Sequence, residues 1–149
     1  MMNMKVIAVG SVKEAYYRNK IELYRKKTAQ CRSFELIELK DESIPKGAGE
    51  SVVEKIKDME GEKILEHILP GEYVVALCID GRATTEDKLH GIMEAAEERA
   101  ASGITFVIGG SLGLGSEVIK RADYRMSFSR MTFPHQLMRV MLLAQLAKL

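Results

Sequence analysis

Tyr73-Val74-Val75-Ala76-Leu77-Cys78-Ile79 is continuously apolar and stops at Asp80-Gly81. A strand with one wet face alternates apolar and polar residues, so an unbroken run calls for cover on both faces, as at the centre of a parallel sheet. Upstream, Ser51 to Ile68 repeats Val52/Val53, Ile56, Met59, Lys63 and Ile64 at helical spacing until Pro70-Gly71 ends it. Downstream, Thr84 with Asp87 forms a capping pattern for a helix carrying Leu89, Ile92/Met93 and Ala96, which Ser102-Gly103 breaks. Ile104 to Ile108 is the next apolar strand. Further out, Val6 to Val9 is a buried strand ending in Gly10. Glu14 to Ala29 is a helix with Tyr17, Ile21, Tyr24 and Thr28 on one side and Lys13, Lys20 and Lys27 on the other. Phe34 to Leu39 alternates as a half-buried strand, and Lys40 to Gly49 is a loop. A short helix over Ser116 to Arg121, a strand over Tyr124 to Phe128 and a final helix from Pro134 complete the chain. Strands alternating with helices predict an α/β fold, a parallel-type sheet with helices on both faces and right-handed crossovers. Ligands of such sheets lie beyond the carboxyl ends of the strands, here Gly10, Asp80-Gly81, Gly109-Gly110 and the segment after Phe128.

The chain has 149 residues, 46% hydrophobic and 29% charged. That composition excludes a disordered chain, and at roughly 100–200 residues per domain it predicts one domain over 1–149. No apolar run approaches the ~18–20 residues of a membrane span, and the amino terminus does not read as a signal sequence, so the expected location is the cytoplasm. Cys31 and Cys78 form no CxxC pair and have no nearby His, so neither a disulfide scaffold nor a metal site is expected. The net charge of +1 conceals an asymmetry: nine basic and four acidic groups in residues 1–40, seven and fifteen in 41–110, six and two in 111–149. If the two basic ends meet in space they form a basic face, the footprint of a phosphate-backbone binder; ordinary solvated charge is the alternative.

Gly109-Gly110-Ser111-Leu112-Gly113-Leu114-Gly115 lies between a strand and a helix, where backbone amides can face a ligand. Its spacing fits neither GxGxxG nor a P-loop, because Val118 stands where the last glycine belongs and no lysine follows Gly115. Close backbone approach to a ligand and a purely structural turn both remain open. In Phe128-Ser129-Arg130-Met131-Thr132-Phe133-Pro134-His135, Thr132 or Phe133 is the expected N-cap and Pro134 opens the helix. His135 and Arg139 share a helix face, where a lone His is more often structural than catalytic. In that last helix Leu137, Val140/Met141, Ala144 and Ala147 form one apolar stripe, and Met138, Leu142 and Leu146 form another. A terminal helix apolar nearly all round points to a subunit interface, most simply a two-fold dimer.

Ala76 to Gly81, Phe106 to Leu114 and Phe128 to Val140, the last read as Phe-Ser-x-Met-Thr-Phe-Pro-His-Gln-Leu-Met-Arg-Val, occur in an order that closely resembles the RlmH-type ribosomal RNA large subunit methyltransferases of the SPOUT class. The resemblance runs from Met4 to the end of the chain. It implies a carboxyl-terminal trefoil knot, a homodimer, S-adenosyl-L-methionine as cofactor, and methylation of N3 of a pseudouridine in 23S rRNA within the ribosome. By position, it implies a cofactor pocket of Leu77, Gly109, Gly110, Phe128, Ser129, Arg130, Met131, Thr132 and Phe133. It makes His135 the candidate to accept or relay the N3 proton and Arg139 the candidate to hold a phosphate or the pyrimidine. Arg130 is then expected to face RNA and Asp80 to stand near the sulfonium charge. The family pattern continues past this helix with Tyr-Arg-Ala and about ten more residues, whereas here Ala147-Lys148 is followed by Leu149. That departure puts turnover and RNA affinity in question more than cofactor binding. The alternative expectation is a catalytically impaired ribosome- or RNA-binding module of the same fold. A nucleotide-binding enzyme of ordinary doubly wound topology is the weaker third.

Overall fold

In a computed structural model, which describes residues 2–129, 131 and 134–149, the elements follow the alternation read from the sequence. They are β1 (Asn3–Val9), α1 (Ala15–Ala29), β2 (Phe34–Leu39), α2 (Glu50–Glu66), β3 (Tyr73–Ala83), α3 (Glu86–Glu98), β4 (Gly103–Ile108), α4 (Ser116–Arg121), β5 (Tyr124–Ser127) and α5 (His135–Leu146). All five strands are parallel, in the order β2-β1-β4-β3-β5.

The period of two along the strands divides the core. Met4, Val6, Ala8, Val75, Leu77, Phe106 and Ile108 face α1, α3 and α5, while Ile7, Val9, Val74 and Val107 face α2 and α4. Both faces of β1, β3 and β4 are therefore covered, as the unbroken apolar runs require. Chain steps toward β2 carry α1 or α3 on one face, and steps toward β5 carry α2 or α4 on the other. All four crossovers thus share one hand, the regularity expected of parallel connections.

Several boundaries differ from expectation for local reasons. The side chain of Thr85, not Thr84, caps α3 by accepting the Lys88 N–H at 3.1 Å. Thr84 instead belongs to the sheet edge, donating its N–H to the Ser127 carbonyl at 3.0 Å. Pro134 occupies the N-cap position of α5 with extended ψ of 131°, so His135 is the first helical residue. β5 stops at Ser127, one residue early, because the Ser127 hydroxyl donates to the Ser129 carbonyl at 2.9 Å and turns the chain. Among the described residues no helix is long and apolar enough to cross a membrane, and no cluster of three potential metal ligands occurs.

Candidate active site

The carboxyl end of β3 is not a simple terminus at Asp80-Gly81. Met126 of β5 stands opposite both Leu77 and Arg82, so Cys78 to Gly81 leave the ladder as a bulge before β3 resumes pairing. Bulges re-aim side chains at sheet rims. Gly81 is required here: a Cβ on it would lie 2.9 Å from backbone atoms of Arg125 and Met126. Beyond the bulge, the Arg82 guanidinium lies over the Tyr124 ring, 5.8 Å from its centroid. The extra residues hold Ile79 and Asp80 out at the rim, exposed.

The glycine segment after β4 closes on itself. The Gly113 N–H donates to the Gly110 carbonyl at 3.1 Å, and Gly113 has a φ of +86°. A Cβ on Gly109 would lie 2.7 Å from the Gly113 carbonyl carbon. Gly109 and Gly113 are thus demanded by the turn itself, whatever else approaches it.

Bulge and turn, with Ser129, Met131 and Pro134, border a half-open cavity of about 590 Å³, within the size range of small-ligand sites. Leu77, Ile108, Leu114 and Met138 supply apolar lining. Asp80, Lys57 and Arg125 are the charged groups among its described lining residues. Cys78 also lines it. Burial pushes the Cys78 thiol up from its ordinary range, the Asp80 carboxylate pushes it further, and Arg125 opposes them. Ser129 shapes the far wall, its hydroxyl accepting the Met131 N–H at 3.0 Å.

Of the residues singled out from the sequence, Leu77, Gly109, Gly110, Ser129 and Met131 line this cavity. Phe128 does not; it packs half-buried against the larger core. Arg130, Thr132, Phe133 and the side chain of His135 lie outside the described residues. His135 opens α5 immediately after Pro134, which lines the cavity. Lys57, Arg125 and Met138 were not anticipated. Lys57 comes from α2 and carries no local signal, whereas Arg125 and Met138 follow once β5 and α5 are placed.

Arg139 is elsewhere. It is 0% exposed and forms no part of the cavity lining. Its Nη1 donates to Glu38 Oε2 at 2.6 Å, and its Nη2 donates to the carbonyls of Val9 and Gly10 at 3.2 and 3.0 Å. Burial draws the guanidinium down from its usual range, and Glu38 holds it up. A fork so engaged joins α5 to the ends of β1 and β2 and is not presented to a phosphate or a pyrimidine, a correction to the role its motif position implied. The basic chain ends do meet, since α1 packs on α5 and Arg32 donates to the Leu149 carbonyl at 3.3 Å. The exposed charge there comes from Lys13 just before α1 and from Arg18, Lys26 and Lys27 on it, because Arg139 is buried.

A parallel sheet with a cavity of this size at the carboxyl ends of its neighbouring strands β3 and β4 defines an α/β protein with its cavity where ligands of such folds lie. Residues 2–148 match the family model described as "Predicted SPOUT methyltransferase", and the chain belongs to that family. It is 46% identical over 145 residues to the ribosomal RNA large subunit methyltransferase H of Clostridioides difficile (strain 630), a match covering 97% of this chain and 91% of that protein. It is 45% identical over 145 residues to the protein of the same name from Bifidobacterium animalis subsp. lactis, with the same coverage. To ribosomal RNA large subunit methyltransferase H 1 of Clostridium perfringens (strain SM101) it is 48% identical over 144 residues, covering 97% and 91%.

Proposed function

We propose that this SPOUT methyltransferase uses S-adenosyl-L-methionine to methylate N3 of a pseudouridine in 23S rRNA of the assembled ribosome. The observation that carries this reading is the cavity formed by the β3 bulge and the glycine turn, in a chain whose relatives bear an rRNA methyltransferase name. Its lining suits the cofactor. Leu77, Ile108 and Leu114 offer apolar surface to a purine, the turn backbone offers its polar groups, and Asp80 complements positive charge at the mouth. When bound, the cofactor supplies an already activated methyl electrophile.

The chain's contribution is then mostly placement, which can supply ~7–11 kcal/mol of such a barrier by alignment alone. A positioned base adds roughly 10²–10⁴-fold. His135 is proposed to take the N3 proton from the first turn of α5, and Arg130 to face the RNA. The partly buried apolar residues of α5, among them Met138 and Val140, are proposed to pair with a second copy in a homodimer. The trefoil threading, one domain over 1–149 and a cytoplasmic location complete the proposal.

Methyl transfer from tritiated cofactor to ribosomes tests it. Incorporation at a pseudouridine of 23S rRNA is expected, and ribosome binding with no incorporation contradicts it in favour of a non-catalytic module. His135→Ala is expected to lower turnover by about 10²-fold or more while leaving cofactor affinity unchanged. Loss of affinity with turnover intact contradicts the proton role.

A further inference from the structure

Beneath the glycine turn, α2 and the turn meet almost backbone to backbone. A Cβ on Gly115 would lie 2.8 Å from the Lys57 carbonyl oxygen, and one on Gly61 would lie 3.2 Å from Val118 Cγ2. Between these contacts stands Glu60, a carboxylate only 5% exposed. Its Oε2 accepts the Glu42 N–H at 2.9 Å. Its Oε1 lies 3.6 Å from the place a Cβ on Gly110 would take, while Val9 Cγ1 approaches the same place at 3.3 Å. One turn along α2, Lys63 donates to the Glu42 side chain at 2.5 Å and so holds the same loop residue a second time.

The other buried glutamate shows what an ordinary structural carboxylate does in this fold. Glu72 pairs with the Lys5 ammonium at 3.1 Å and accepts the Leu69 N–H at 2.7 Å. It lies at the amino-terminal end of β3, away from the cavity. Glu60 instead takes a loop peptide and stands against a residue that lines the cavity. Burial pushes its carboxyl up first, the Glu42 N–H opposes that, Asp41 and Glu42 push it up further, and Lys63 draws it down.

We propose that Glu60 is a positioning residue for the cofactor, bracing the Gly110 peptide against the Lys40–Gly49 loop so that cofactor affinity depends on a carboxylate outside the cavity. This rests on the cofactor reading above. A buried acceptor that fixes one peptide and fills the space under another removes slack from the turn, and a loose turn must be ordered at the moment of binding.

Two measurements on the full chain test it: calorimetric titration with S-adenosyl-L-methionine, and hydrogen exchange of the ligand-free protein. Glu60→Ala is expected to weaken binding about tenfold and to speed exchange at Glu42 and over 110–113 together. Glu60→Gln, whose amide oxygen still accepts the Glu42 N–H, is expected to restore affinity to within about threefold. Ile64→Val, a core change elsewhere on α2, controls for general loss of stability and is expected to leave affinity unaltered. If Glu60→Ala does not fold, Glu60→Asp carries the same comparison. Affinity as tight as wild type, or lowered no more than in the Ile64 variant, overturns the proposal, as does faster exchange at Glu42 with none over 110–113. If the wild-type chain binds no S-adenosyl-L-methionine, the cofactor reading fails, and the exchange coupling alone then decides the role of Glu60.

Discussion

The same sheet ends in two different ways. At β1 and β2 the outgoing carbonyls of Val9 and Gly10 are met by the Arg139 guanidinium, which also reaches Glu38. At β3 and β4 the ends open into a cavity of about 590 Å³. Both are carboxyl ends of parallel strands, where ligands of such folds bind. At the first the strand-end carbonyls are taken by the chain's own cation, and the groove beside them, lined by Ser11, Val12 and Glu38, runs along α1; at the second the glycine turn and the β3 bulge border the space directly. Topology thus offers sites at several strand ends, and a side chain arriving from a distant helix decides which strand-end carbonyls remain free for a ligand.

The contrast breaks most severely at Arg139. Arg139→Ala leaves two carbonyls without their donor and removes a fully buried cation, with an expected loss of about 2–4 kcal/mol in denaturant unfolding. Glu38 is half-exposed and can rehydrate, which keeps the loss below that of a fully buried pair. Arg139→Lys is expected to recover only part, since one ammonium cannot span the carboxylate and both carbonyls. Unchanged stability in both variants would contradict the strut.

The open end is more sensitive in binding than in folding. Gly109→Ala places a Cβ 2.7 Å from the Gly113 carbonyl carbon and must reshape the turn. An expected loss of about 1–3 kcal/mol of stability should come with at least about tenfold weaker cofactor binding, read by calorimetry. Thiol labelling sharpens the comparison further. Exposed Cys31 is expected to react first with an alkylating reagent, and Cys78, its thiol pushed up by burial and Asp80, only as the pH rises further. A raised thiol holds its proton to higher pH, so the reactive thiolate is scarce at neutrality. Saturating S-adenosyl-L-methionine is expected to protect Cys78 alone, and protection of Cys31 instead would misplace the site. The smallest effect belongs to Gly91 in α3, where an added Cβ meets nothing within 4 Å. Gly91→Ala is expected to stabilise the chain by about 0.5–1 kcal/mol in thermal unfolding without touching binding.

The layered fold was legible because burial imposes its period on the sequence. Of the unbroken run from Tyr73, Tyr73 to Leu77 are buried, as β3 between β4 and β5 requires, while Ile79 at its end stands exposed at the rim. The β3 bulge was not legible, because it depends on Met126 being opposite both Leu77 and Arg82, a pairing no local window contains. Leu77, Gly109 and Gly110 were found at the site because strand-end glycines and the family pattern coincide there. Lys57 was missed because an α2 lysine with helical spacing reads as a solvated face. Arg139 was misassigned for the converse reason. Its motif position says that an arginine is needed, while only the packing of α5 against the β1 and β2 ends shows that its fork serves the fold.

The central claim is that the open strand end is a cofactor site of the methyl-transfer kind, and a titration of the whole chain with S-adenosyl-L-methionine, with NAD as the control, tests it most directly. Saturable binding of one S-adenosyl-L-methionine per chain and no heat with NAD is the predicted result. Tight binding of NAD alone, or no binding of either, would contradict it.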